Sequence, residues 1–89
     1  NQKYIACSSI SIDEQDNIIK VINIATGKTI WKNINETKPI SSIIILKNRY
    51  LLTGSIDGIK MWDFLNNTKK PIKEFIGGAT KRWFIKSEI

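Results

Sequence analysis

Residues 18–24, Ile-Ile-Lys-Val-Ile-Asn-Ile, set β-branched side chains in partial alternation with polar ones and predict a strand. The same reading marks short β runs at 4–8, 40–46, 50–53 and 59–64, and the start of another at 29–31. Between them stand polar segments. Residues 9–17 read as a loop, with extended character at Ile10 and Ile12, and 33–39 as a polar linker in which Pro39 biases its neighbour away from helix. Ala25-Thr26-Gly27-Lys28 is a turn with glycine available for positive φ, and Lys47-Asn48 is a second turn. Asp57-Gly58 is a hairpin turn, and 65–70 is a longer polar one. Residues 71–76 read as an edge strand, because Pro71 cannot serve a central ladder. Gly77-Gly78 breaks that strand, and 82–85 opens another. Helix signals are nearly absent. The sum is about seven or eight short strands, spaced as in antiparallel sheet.

The pattern repeats. Tyr4-Ile5-Ala6-Cys7-Ser8 matches Tyr50-Leu51-Leu52-Thr53-Gly54. The run from Asp16 through Asn23 matches the run from Asp57 through Asp63, with Lys20 and Lys60 separated by 40 positions. A turn and a further strand follow each. A four-stranded unit repeated at this period points to radial repetition rather than a sandwich.

Residues 51–64, LLTGSIDGIKMWDF, run from small residues through Asp-Gly and a β run to Trp-Asp. In that order they resemble the core of a WD-repeat β-propeller blade. The resemblance implies an all-β partial propeller of about two four-stranded antiparallel blades. Residues 1–34 would supply strands b, c and d of a first blade, 40–76 a second blade, and 77–89 the start of a following one. In typical members of the family an internal network joins a Trp, a strand-b Ser or Thr, the turn Asp and a His. Here the resemblance implies structural roles for Thr53, Asp57, Gly58, Trp62 and Asp63. The chain has no His, the first copy has Ile22-Asn23 in place of Trp-Asp, and the blades are therefore degenerate. A ring of about seven blades needs several hundred residues. The chain also opens without Met and ends inside an apolar pattern, so a fragment of a longer polypeptide is expected, with the other blades as its partners. Alone, its open edges should make it unstable or prone to aggregate.

Composition narrows the chemistry. In the 89 residues, Lys and Arg outnumber Asp and Glu by 14 to 8, and the surplus lies in the second half. Its main carriers are Lys69, Lys70, Lys73, Lys81, Arg82 and Lys86. Of these, Lys69, Lys70, Lys81 and Arg82 are the candidate partner contacts. The single Cys7 excludes an internal disulfide, is expected to pack as a small hydrophobe, and suits an intracellular, cytoplasmic protein. No apolar run is long enough for a membrane helix, so no membrane role is expected.

Asp57 and Asp63 are the carboxylates of the motif, and turn and strand-end roles explain them better than acid–base catalysis. Without His, a Ser-His-Asp arrangement is impossible within the chain, and one Cys does not make a zinc site. No catalytic residue, metal ligand or cofactor site is assigned, and the chain is expected not to be an enzyme. Asn66-Asn67-Thr68 matches a glycosylation acceptor and, in an intracellular protein, is a polar turn. Trp31 and Tyr50 are expected to pack between blades. The resemblance implies a non-catalytic scaffold for protein–protein interaction, binding partners through loops at 11–16, 35–38 and 66–70. The alternative is a structural component of a large assembly that contacts RNA or DNA through the basic second half. There Lys81-Arg82-Trp83-Phe84 places two cations beside two aromatic rings.

Overall fold

The computed structural model describes residues 3–10, 17–36 and 38–76. Seven strands run β1 (Tyr4–Ile10), β2 (Asn17–Asn23), β3 (Thr29–Glu36), β4 (Ser42–Leu46), β5 (Tyr50–Ser55), β6 (Gly58–Asp63) and β7 (Lys73–Ile76). They form two antiparallel meanders, one of three strands in the order β1-β2-β3 and one of four in the order β4-β5-β6-β7. Within each sheet, strands that follow one another in sequence pair with each other, so the strands are readable from local pattern alone.

The turns follow their chemistry. Gly27 takes φ 74° and its N–H donates to Asn23 O at 2.8 Å. Asn23 Oδ1 accepts from the N–H groups of Ala25 and Thr26 at 2.9 and 3.3 Å, so the side chain itself shapes the turn. Lys47 and Asn48 both have positive φ and are the central residues of a turn closed by Arg49 N–H to Leu46 O, inside the three-residue loop between the paired Leu46 and Tyr50.

Alternation places the core. In β2 the odd positions are buried and the even ones half-buried. Register aligns Ala6 with Val21 and Val21 with Trp31 on one face of the first sheet. In the second sheet Ile45 faces Leu51, and Leu51 faces Trp62. The buried apolar residues Ile19, Val21, Trp31, Leu51, Trp62 and Phe64 come from both sheets and make one cluster. Rings join the halves: Trp31 lies 5.2 Å from Trp62 at 58°, and Tyr4 meets Phe64 edge-on, also at 5.2 Å.

Three expectations change here. The partial-propeller fold is not what forms: the all-β content stands, but the two sheets are separate, and neither is closed or curled as blades of a ring require. The physical reason is that residues 51–64 encode a hairpin, and a hairpin fits many higher arrangements. Next, 33–39 is not all linker, since β3 continues to Glu36 and buries Asn33. Finally, Cys7 is exposed rather than packed, because β1 is an edge strand whose inward positions are Tyr4 and Ala6. Positions 11–16 and 77–89, including Gly77, Gly78, Lys81 and Arg82, lie outside the described residues.

Candidate functional site

The β5–β6 hairpin and the turn after it build a polar cluster. Its register sets Leu51 against Trp62 and Tyr50 against Asp63. The next inward residue of β5 is Thr53, two positions along from Leu51, so its hydroxyl lies diagonally across from the Trp62 ring. Trp62 Nε1–H donates to Thr53 Oγ1 at 3.2 Å, and both side chains are buried. A buried indole N–H left without an acceptor costs about 1–3 kcal/mol, and Thr53 supplies one.

Asp63 ends β6 and caps the 3₁₀ turn η1 (Phe64–Asn66) that follows. Its Oδ1 accepts from the Asn66 backbone N–H at 3.3 Å. Its Oδ2 accepts from Asn66 Nδ2 at 2.7 Å and from Arg49 Nη2 and Nε at 2.9 and 3.2 Å. Thr68 closes the turn: its hydroxyl accepts from the Asp63 backbone N–H and donates to the Asp63 carbonyl, each at 3.3 Å. The Thr68 carbonyl then accepts from Trp31 Nε1–H at 2.9 Å, which ties β3 of one sheet to the turn of the other. Arg49 is half-exposed and its guanidinium lies 5.0 Å from the centre of the Tyr50 ring.

Hydrogen bonding from Arg49 holds the Asp63 carboxyl below the usual carboxylate range, with burial opposing and Asn66 assisting. The same hydrogen bond raises the Arg49 guanidinium above its ordinary value. A carboxyl whose pKa falls on folding contributes stability above its unfolded value of about 3.9, and that contribution is lost as pH falls through the folded value. The melting temperature should therefore fall as pH drops below about 4. In Asp63→Asn this acid limb should be shallower, measured by circular dichroism across a pH series.

Asp57 is exposed and enters its turn through its backbone N–H, which donates to Ser55 Oγ at 3.1 Å; its carboxylate stands apart from the Trp62–Thr53 pair. Gly58 takes φ 123° at the start of β6. Lys69 and Lys70 are exposed in the turn before β7. Asn66 and Thr68, read as a glycosylation acceptor, both bond to Asp63. Trp31 is buried against Trp62. Arg49 was not among the candidates, although counting the hairpin register back from Ser55 opposite Gly58 places it beside Phe64, next to Asp63. Among the described residues, no group of three or more His, Cys, Asp or Glu could hold a metal ion.

Two expected functions lose their footing. The protein-interaction scaffold rested on loops displayed by a ring and on further blades as partners, and the two-sheet architecture carries neither. The RNA- or DNA-contacting alternative leaned on Lys81 and Arg82, which lie outside the described residues, and this architecture does not support it either. The WD-repeat description goes with the ring. No helix among the described residues is long and apolar enough to cross a membrane. No family model, curated protein or solved structure matches the chain.

Proposed function

We propose that the chain is a non-catalytic structural module whose polar cluster serves to hold two sheets together. The observation that carries this reading is the state of Asp63. Among the described residues it is the buried carboxylate, and it accepts four N–H groups. An acid–base catalyst exchanges a proton near the working pH. Asp63 is held ionised, and its bonds run to the turn that carries Thr68 and so to Trp31. Thr53 and Trp62 are likewise bonded to each other. The proposal includes an intracellular, cytoplasmic setting, supported by the exposed lone thiol of Cys7, a group that reducing compartments preserve.

Asp63→Asn is the test. Charge-assisted bonds become neutral ones, and the expected loss is roughly 1–2 kcal/mol, kept small because Arg49 is half-exposed and solvent screens it. The melting temperature should fall by about 5–15 °C at neutral pH. A hydrolase substrate panel should show no turnover that depends on Asp63. Turnover by the parent chain that vanishes in Asp63→Asn, with an unchanged melting temperature, would refute the reading.

A further inference from the structure

The two sheets differ in width, and the mismatch leaves a hollow at one margin. β1 approaches β4, and β3 approaches η1 after β6, so the fourth strand, β7, extends past the three-stranded sheet. Two adjoining hollows occupy this margin and share Asn33 and Lys69 on their walls. The smaller adds Lys32 of β3, and the wider adds Lys60, Lys70 and Glu74 with Trp62 beneath. The grouping spans distant parts of the chain: Lys32 and Asn33 belong to β3 of the first sheet, Lys60 and Trp62 to β6 of the second, and Lys69 and Lys70 to the turn before β7.

The charges do not balance. Lys60 stands directly opposite Glu74 in the β6–β7 register, and Glu74 is the one carboxylate among the described residues lining the two hollows. Four lysines against one carboxylate leave a surplus of three positive charges on the walls of the two adjoining hollows; of these lysines Lys32 lines the smaller, Lys70 the wider and Lys69 both, and all three are exposed. Lysine ammonium groups are point charges on flexible stems, and several can turn onto one charge-dense anion. The wider hollow is about 490 Å³, within the range of small-molecule sites of ~300–1,000 Å³ and far larger than one bare ion needs.

We propose that this margin binds a compact anion carrying three or more charges, a di- or triphosphate chain, with Lys32, Lys69 and Lys70 as its cationic partners. The assignment is separate from the non-catalytic reading and does not depend on Asp63.

The test uses the 89-residue chain, tripolyphosphate as the probe, and ATP as a second arm. Calorimetry should give one saturable site that weakens as salt rises. Amide and indole NMR shifts should move at Asn33 and Trp62. Lys69→Gln and Lys32→Gln, taken from different sheets, should each weaken binding on the order of tenfold, while Lys28→Gln, which lines neither hollow, should not. Tighter binding of ATP than of tripolyphosphate would assign the phosphate chain to a nucleotide, and equal binding to a free chain; either supports the site. The proposal fails if the lysine variants bind as the parent does while remaining folded by circular dichroism. It also fails if the shifts lie elsewhere, or if sulfate or a glutamate-rich peptide binds equally well at matched ionic strength.

Discussion

Trp62→Ala is expected to remove much of the folding stability, the largest loss of any single substitution in this chain. The ring is 1% exposed and sits where three things meet. It lies opposite Leu51, it packs against Trp31, and its N–H donates to Thr53. Removing a buried Trp side chain costs about 3–5 kcal/mol from lost transfer energy and the cavity left behind. Thr53 then keeps a buried hydroxyl without its donor, which adds on the order of 1 kcal/mol. A chain this size has about 4–13 kcal/mol of total stability, so the loss can consume most of it. Urea unfolding followed by far-ultraviolet circular dichroism checks this. Thr53→Val, which removes only the acceptor, should cost about 1–3 kcal/mol and leave the transition cooperative. If Trp62→Ala melts within a few degrees of the parent, the shared core across the two sheets is wrong.

The second large effect is at Trp31, where the loss should uncouple the sheets. Its ring meets Trp62, and its N–H reaches the Thr68 carbonyl of the opposite sheet's turn. Trp31→Ala removes both links, with an expected loss of about 3–5 kcal/mol. Trp31→Phe keeps most of the ring and loses the hydrogen bond, at about 1 kcal/mol. A double-mutant cycle between positions 31 and 62 should show a coupling of about 0.5–1.5 kcal/mol beyond area burial. Near-additive losses would mean that the two rings do not communicate. The informative readout is the hydrogen-exchange protection of β2. In Trp31→Ala it should fall more than that of β5, because β5 keeps Leu51, Thr53 and Trp62.

Which parts of this were legible beforehand depends on how far apart the interacting residues are. The alternation at 18–24 and the turn near Asp57 act over a few residues; the first appears as β2, and the second sits one residue earlier than read, at Ile56-Asp57, with Gly58 already paired to Ser55 in β6. The Asp63 cap on Asn66 is also local, an Asx pattern readable three residues ahead. Arg49 was readable only by carrying the hairpin register past the strand end. Asn33 was misread because a polar residue in a polar stretch looks like linker, whereas β3 turns it inward. Cys7 was misread in the opposite sense, as a small apolar residue whose strand turned out to be an edge. The lysine recess was invisible, since Lys32 and Lys69 are far apart in the chain and meet only through packing.

By itself the amino-acid order determined the strand set, the antiparallel pairing of neighbours and the turn chemistry. Those features arise from side-chain alternation and from backbone preferences at Gly27, Asn48 and Gly58, all short-range. Tertiary structure decided how the hairpins assemble: two separate sheets of three and four strands, not blades of a ring. It also decided which polar groups meet, Arg49 with Asp63 and Trp31 with Thr68. The reason is physical. A hairpin's hydrogen bonds are satisfied whatever covers its apolar face, so the covering partner is chosen by packing between residues distant in sequence.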